Sequence, residues 1–127
     1  NEDVFIVETG RRKELLKNKN LAVMLNDFKN TLKSKCCIIL IFGSYAKNTQ
    51  TKNSDIDLMF IVPDGMEELF EKDVHRVARS LPLPIHPLVF SEKQFLEMTH
   101  AHESNVGQEA LKNNIILYGI ETYYEMI

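Results

Sequence analysis

Two apolar runs constrain the fold of this chain more than any other feature. Ile38–Phe42 is continuous, and Ile56–Val62 is interrupted only by Asp57 near its start. Both are rich in β-branched residues, and runs of this length and composition are typical of strands that are covered on both faces. We therefore expect a sheet with helices packed on each side of it.

Residues 11–33 carry the periodicity of an amphipathic helix. Leu21, Leu25, Phe28 and Leu32 are separated by four, three and four residues, so they fall on one helical face. That face has two interpretations from sequence alone, because it could pack against the sheet or form the interface of a homodimer.

The remaining elements alternate between helix and strand. Asp64 is a candidate cap for the helix that follows it, and Ser91 with Gln94 has the pattern of a capping box. The apolar run at 4–7 is either a strand of this domain or the end of a preceding segment. The other predicted elements are a helix at 66–81, a strand at 85–90, a helix after Ser91, a helix at 108–113, a strand or turn at 115–118 and the start of a helix at 121–127. This order predicts an α/β (α+β) fold with a small mixed β-sheet packed with helices.

The composition is that of a soluble globular protein. The 127 residues suit one compact domain, so residues 1–127 are expected to form a single domain. No apolar run approaches the roughly 20 residues that span a bilayer, and we expect a cytoplasmic protein. The net charge of −3 argues against a general nucleic-acid surface. Because the chain begins with asparagine rather than methionine, a fragment of a longer chain is an alternative.

The only two cysteines, Cys36 and Cys37, are adjacent. Neighbouring residues on a strand point to opposite faces, so the two thiols are poor partners for a shared metal or a disulfide. We expect a buried and inert role at the start of a core strand, in a reducing compartment.

Asp55 and Asp57 lie two residues apart at the start of the second predicted strand. Strand side chains alternate, so both carboxylates are expected on one face, with Ile56 turned into the core. Adjacent carboxylates repel each other unless a cation lies between them. Mg²⁺ is such a cation, because it binds one or two carboxylates together with substrate phosphates. On its own, however, an Asp-x-Asp pair is more often a solvated turn.

Gly43 and Ser44 follow the first apolar run, where a buried strand ends and the chain turns. Glycine lacks the Cβ that would block the approach of an anion to the backbone, and Ser44 offers a hydroxyl and an N–H. Ser44 stands eleven residues before Asp55, and the combination of the two pairs is far more specific than either pair alone. Together they predict a site for a cation and a phosphate-bearing ligand.

The segment 43–58 reads GSYAKNTQTKNSDIDL and resembles the signature of the nucleotidyltransferase superfamily related to DNA polymerase β. The pattern of that superfamily is Gly-Ser, a short helical stretch with a glycine, and then Ser-Asp-x-Asp at the head of the next strand. The resemblance is strongest to the minimal, or MNT-type, nucleotidyltransferases of prokaryotes, some of which act as antitoxins beside HEPN-domain partners. In element order it extends from the helix before Gly43 to residues 116–119, and it implies a nucleotidyltransferase-like fold.

The resemblance also implies a role for each part of the motif. Gly43 and Ser44 would hold the triphosphate of ATP or another NTP, and Asp55 and Asp57 would bind the catalytic metals, expected to be two Mg²⁺ ions. Ser54 would shape the turn at the nucleotide-binding site. The implied reaction is transfer of a nucleoside monophosphate, with AMP expected, to a hydroxyl acceptor, by in-line attack on the α-phosphate with pyrophosphate leaving. The protein would contribute positioning and charge neutralisation.

Two positions depart from the family pattern. Asn48 stands where the family usually has its second glycine, and asparagine tolerates the left-handed conformation that glycine supplies. His86 stands on the third predicted strand, where family enzymes usually place a third carboxylate. It has three interpretations: an edge histidine without a catalytic role, a general base or unusual metal ligand, or the mark of a domain that binds nucleotide but transfers it poorly. Glu92, just after that strand, is a candidate substitute carboxylate.

Two functions compete on this evidence. The first is an active Mg²⁺-dependent enzyme with Asp55, Asp57 and His86 as its catalytic group. The second is a catalytically weak module that acts as an antitoxin or regulatory subunit by docking a partner such as a HEPN-type protein. Nucleic-acid polymerisation is the least favoured function, because the charge balance is acidic and no second domain for a template is evident. Lys47 and Lys52 are candidates for steering phosphates, although solvated loop lysines are the simpler interpretation.

Overall fold

The computed structural model describes residues 2–32 and 37–127. Helices and strands alternate along most of this length, as the sequence predicts. Their bounds in chain order are α1 Glu2–Leu15, α2 Lys19–Thr31, β1 Ile38–Phe42, α3 Ser44–Lys47, β2 Ile56–Val62, α4 Glu67–Ser80, β3 Ile85–Ser91, α5 Glu92–His100, α6 Val106–Lys112, β4 Asn114–Tyr118 and α7 Ile120–Met126.

The strands of the described residues form one mixed sheet in the order β3-β2-β1-β4. β1 pairs antiparallel with both β2 and β4, and β2 pairs parallel with β3. A parallel pair needs a crossover connection, and α4 supplies it between β2 and β3. The predicted α/β class with a small mixed sheet is therefore confirmed.

Both faces of the sheet are buried under helices. Ile39 and Ile41 of β1 pack with α2 and α4 on one face. Ile38 and Leu40 pack on the opposite face with residues of α5, α6 and α7, including Phe95. This alternation explains why β1 is apolar at every position, since neither of its faces meets water.

The helix predicted over residues 11–33 is two helices in the structure. The side-chain oxygen of Asn18 accepts hydrogen bonds from the N–H groups of Asn20 at 3.0 Å and Leu21 at 3.3 Å, and so starts α2 as its N-cap. The apolar run at 4–7, interpreted above as a strand or a preceding tail, lies inside α1. The strand alternative is wrong, because a run of four apolar residues is too short for periodicity to distinguish helix from strand.

The apolar face of α2 packs inside the chain. Leu21, Leu25, Phe28 and Leu32 are each at most 6% exposed and belong to the core between α2, α4 and the sheet. The homodimer interpretation of this face is therefore wrong, because the face is already covered. Cys37 is buried, as expected, whereas positions 33 and 36 lie outside the described residues. In the part of the chain that the structure describes, no helix combines the length and apolarity needed to cross a membrane.

Asp64 does not cap α4, contrary to the sequence prediction. The N-cap of α4 is Met66, and Asp64 Oδ1 instead accepts a hydrogen bond of 3.0 Å from the N–H of Lys93 in α5. Asp64 lies two residues before the N-cap, so the start of α5 offers its carboxylate the available donor. The capping box at the same helix is confirmed: Ser91 Oγ accepts from Gln94 N–H at 3.0 Å, and Gln94 Oε1 accepts from Ser91 N–H at 2.9 Å.

Candidate active site

The predicted site residues meet at the edge of the sheet where β1 ends and β2 and β3 begin. Asp57 is paired with Phe42 of β1 and with His86 of β3, and Phe42 is paired with Asn114 of β4. Residues that lie directly opposite each other in neighbouring strands project from the same face of the sheet. His86, Asp57, Phe42 and Asn114 therefore form one row across the sheet, which we call the site row.

Gly43 lies directly against the carboxylate of Asp57. Its backbone has φ 69° and ψ −145°, a conformation that residues with a Cβ rarely adopt. A Cβ at this position would also collide with Asp57 Oδ2. The position thus favours glycine for two independent reasons, and the absence of a side chain lets the Asp57 carboxylate pack against the buried Gly43 backbone.

A single helical turn, α3, follows Gly43 and carries Ser44, which is half-buried. The turn closes at Asn48, whose φ of 57° and ψ of 37° are left-handed, as the sequence predicts for an asparagine in place of glycine. The carbonyl of Ser44 accepts a hydrogen bond of 2.9 Å from the N–H of Thr49. The local sequence therefore fixes the course of the chain after the Gly-Ser pair.

Asp55 and Ser54 belong to the loop before β2, because the strand begins at Ile56. Asp55 is exposed, whereas Ile56 is 2% exposed and packs into the core, so the two neighbours face different environments. Ser54 Oγ accepts a hydrogen bond of 2.8 Å from the N–H of Thr51, which closes the turn at 51–54. Ser54 shapes the turn that leads into Asp55, and its hydrogen bonds stay within the loop.

His86 lies beside Asp57, as its place on the third strand predicts. His86 Nδ1 is 3.2 Å from Asp57 Oδ1, within hydrogen-bond distance. The His86 side chain is 60% exposed and that of Asp57 is 27% exposed, so the pair opens to solvent. Their contact depends on the parallel pairing of β2 with β3, which joins residues 29 positions apart in sequence.

Glu92 does not substitute for the third carboxylate. The register of β2 with β3 pairs Asp57 with His86 at one edge of the sheet and Val62 with Ser91 at the other. Strands rise about 3.3 Å per residue, so Glu92 lies about 20 Å along the chain from His86, at the far edge. The sequence interpretation is wrong because it placed Glu92 near the strand without fixing which end of the strand meets the aspartates.

At its β4 end the site row is buried, and the residues there stabilise the fold. Asn114 is buried, and its side-chain amide donates to the carbonyl of Ala110 at 2.7 Å and to the hydroxyl of Tyr123 at 3.1 Å. Burial raises the pKa of Tyr123 to about 12, because the phenolate form would lose its hydration. The row thus changes from an open acidic end at Asp57 to a packed neutral end at Asn114.

The donors at the open end suit a divalent cation that a ligand helps to hold. Within residues 2–32 and 37–127, no three histidine, cysteine, aspartate or glutamate side chains group closely enough to hold a metal alone. Mg²⁺ commonly binds through one or two carboxylates and takes its other ligands from water and substrate phosphates. Asp55 is exposed and the side chain of Asp57 is 27% exposed, so both can supply such carboxylates.

Tertiary packing adds a charge contact that the sequence did not reveal. Lys47 Nζ at the end of α3 lies 3.8 Å from Glu109 Oε1 of α6, and both side chains are about half exposed. The two residues are far apart in sequence, so no local pattern points to Glu109. A pocket of about 630 Å³ lies between α1, α2 and the turn after α3, but neither Asp57 nor His86 lines it. The candidate site is therefore the open sheet edge rather than this pocket.

A mixed sheet whose Gly-Ser turn faces an aspartate of the neighbouring strand defines a nucleotidyltransferase-like class of protein. A family model described as polymerase beta, nucleotidyltransferase matches residues 24–122, from within α2 to the start of α7. This match spans most of the chain. The protein therefore belongs to the polymerase β-like nucleotidyltransferase superfamily.

A solved structure supports the fold independently. The chain is similar to one in a crystal structure of a toxin–antitoxin with AMP-PNP, with 20% sequence identity and a TM-score of 0.53. The similarity covers 85% of this chain and 77% of that chain. At this identity it shows a shared fold. Among curated proteins, none matches this chain by sequence.

Proposed function

We propose that the protein is a Mg²⁺-dependent nucleotidyltransferase that transfers a nucleoside monophosphate, expected to be AMP, from an NTP to a hydroxyl acceptor. The observation that carries the proposal is the contact of Gly43 with the carboxylate of Asp57 at an open sheet edge, beside His86. Membership of a nucleotidyltransferase superfamily supports the reaction class. The compartment that fits this chemistry is the cytoplasm, where NTPs are available.

The proposed roles follow from where each residue lies. The Gly43 backbone and the hydroxyl and N–H of Ser44 bind the triphosphate, because they lie at the turn facing Asp57. Asp55 and Asp57 hold two Mg²⁺ ions, which when bound would neutralise the phosphates and the departing pyrophosphate. Ser54 positions Asp55 through the turn at 51–54.

The proposed transfer is a single displacement at phosphorus and needs no covalent enzyme intermediate. The acceptor oxygen forms a bond to the α-phosphorus while the bond from that phosphorus to the bridging oxygen breaks. The electron pair of the broken bond leaves with pyrophosphate, and the hydroxyl proton passes to water at this solvent-exposed edge. In-line geometry and charge neutralisation are the protein's contributions to the rate.

The proposal predicts that nucleotide binding depends on metal and on both aspartates. A non-hydrolysable ATP analogue would be titrated, with and without Mg²⁺, into wild type and the Asp55→Asn/Asp57→Asn variant. We expect affinity in Mg²⁺ to fall on the order of 100-fold in the variant, because direct metal ligands are lost. Asp64→Asn is the matched control, since Asp64 accepts from the Lys93 N–H and should leave binding unchanged.

Equal affinity in the double variant, or no binding of any nucleotide by folded wild type, would refute the proposal. Transfer itself is read by release of pyrophosphate from an NTP in the presence of a candidate protein or small-molecule hydroxyl. This signal should require Mg²⁺ and vanish in the double variant.

The second candidate function is an antitoxin or regulatory module that works by docking a partner, for which a HEPN-type protein is our candidate. The similarity to a chain from a toxin–antitoxin structure favours it. The test is co-expression of the partner with the Asp55→Asn/Asp57→Asn variant. If the variant still binds and neutralises the partner, docking is sufficient. If the variant binds the partner but no longer neutralises it, neutralisation depends on nucleotidyl transfer.

A further inference from the structure

The edge where a third carboxylate is expected carries an imidazole instead. His86 and Asp57 are paired in register on adjacent parallel strands, and the row places both side chains on one face. His86 Nδ1 and Asp57 Oδ1 are 3.2 Å apart, and both side chains are reached by solvent. A ligand entering this edge therefore meets one nitrogen donor and one oxygen donor together.

This separation suits two ligands of one cation. Bonds of about 2.1 Å at right angles, as in an octahedral ion, place neighbouring donor atoms about 3 Å apart. The observed 3.2 Å between Nδ1 and Oδ1 matches that spacing. His75 offers a contrast, since its Nε2 lies 3.7 Å from Glu71 Oε1 one turn away on the exposed side of α4. His75 lies on α4 rather than on the site row, so it serves as a control.

An imidazole changes which ion the edge prefers. Carboxylate, carbonyl and water oxygens suit Mg²⁺ and Mn²⁺, whereas imidazole nitrogen suits the later first-row metals, iron, nickel, copper and zinc. Mn²⁺ accepts carboxylate and phosphate oxygens readily and, as a transition metal, tolerates a nitrogen ligand. We propose that His86 is a metal ligand which, with Asp57, shifts one ion position of this site from Mg²⁺ toward Mn²⁺. This inference rests on the proposed nucleotidyltransferase function.

The two protein donors leave most of the coordination sphere for nucleotide phosphates and water. Mn²⁺ should therefore bind more tightly in the presence of a non-hydrolysable ATP analogue than alone. Electron paramagnetic resonance of free Mn²⁺ measures this binding directly on the untagged protein. Competition with Mg²⁺ then gives the ratio of the two affinities, without reliance on turnover.

Pulsed electron paramagnetic resonance tests the nitrogen ligand itself. Bound Mn²⁺ in wild type should show the ¹⁴N modulation of a directly coordinated imidazole, and ¹⁵N-histidine labelling should change it. The modulation should vanish in His86→Asp and persist in His75→Gln. The Mn²⁺-to-Mg²⁺ affinity ratio should fall by on the order of tenfold in His86→Asp, the lower end of the loss expected for a perturbed metal site. The exposed position of His86 permits folded variants, and thermal unfolding checks this.

Two of the possible results overturn the role of His86 alone, and a third overturns both proposals. One result is that wild type binds Mn²⁺ without ¹⁴N modulation and that Asp57→Asn abolishes the binding. The metal-dependent function then stands, and the role of His86 is overturned. An unchanged affinity ratio in His86→Asp also overturns it. If folded wild type binds neither ion, with or without the analogue, both proposals fall.

Discussion

The two edges of the sheet contain similar residues but use them differently. The capped end, formed by residues 63–66 and the start of α5, has a glycine with φ 87° at Gly65 and an acidic residue beside it, Asp64. The site end, formed by the site row and the turn at 43–48, has a glycine with φ 69° at Gly43 and the acidic residue Asp57. Composition alone does not distinguish these edges.

The difference lies in what satisfies each carboxylate. At the capped end, Asp64 accepts from the N–H of Lys93 at 3.0 Å, and Glu67 accepts from the N–H of Gly65 at 2.7 Å. Backbone N–H groups thus satisfy both of these carboxylates as hydrogen-bond acceptors. At the site end, Asp57 faces the side chain of His86. A carboxylate that the backbone satisfies serves the fold, whereas one that faces another ionisable side chain at an open edge is available to a ligand.

The largest expected effect contrasts the two glycines. Both have positive φ, but a Cβ at Gly65 would meet nothing within 4 Å, whereas one at Gly43 would strike Asp57 Oδ2. Gly65→Ala should therefore cost about 1 kcal/mol of unfolding free energy for the backbone alone. Gly43→Ala should cost about 3 kcal/mol and abolish metal-dependent nucleotide binding. Urea unfolding and analogue titration measure both; equal costs would remove the distinction between the edges.

Tyr123, whose hydroxyl accepts from Asn114 at the packed end of the site row, predicts that the protein loses stability at alkaline pH. The pKa of Tyr123 is raised by burial to about 12 from 10.0, so the unfolded chain releases this proton first as pH rises. Stability from the neutral phenol is thus complete below pH 10 and lost between about pH 10 and 12, amounting to about 2 to 3 kcal/mol. The wild-type decline in unfolding free energy should be steeper than that of Tyr123→Phe over this range. Parallel curves would show that Tyr123 titrates normally.

A smaller effect separates stability from binding at the capped end. Ser91→Ala removes the side chain that accepts from Gln94 N–H, and a lost N-cap costs about 1 kcal/mol. Nucleotide affinity should not change, because Ser91 lies at the opposite edge from Asp57. Ser104→Ala, at an exposed loop position, is the control and should stay within about 0.5 kcal/mol of wild type. A binding defect in Ser91→Ala would show that the two edges are coupled.

The smallest effect concerns the end of the Gly-Ser turn. Asn48 has φ 57°, so Asn48→Gly keeps the left-handed conformation and should change the unfolding free energy by less than about 0.5 kcal/mol. Asn48→Ala should cost about 1 kcal/mol, because the left-handed conformation strains a residue with a Cβ and alanine tolerates it less well than asparagine. Urea midpoints of the two variants give the comparison. A larger loss in Asn48→Gly would assign the asparagine amide a role beyond backbone conformation.

Local patterns in the sequence determined much of this protein. The apolar runs of β1 and β2, the capping box at Ser91 and the left-handed residue at Asn48 follow from interactions within a few residues, so neighbours in the chain are enough to predict them. The Gly-Ser and Asp-x-Asp pairs likewise stand next to predictable strand ends, which indicated the family before the fold was known.

Only the tertiary structure decided which distant residues meet. The contact of His86 with Asp57 and the separation of Glu92 from both depend on the parallel register of β2 with β3, which the α4 crossover sets. The partner of Asp64 depends on the same crossover, because α5 begins where β3 ends. Such contacts join segments tens of residues apart, so no pattern within one segment encodes them. The sequence therefore specifies the chemistry of the site, and the register of the sheet specifies its geometry.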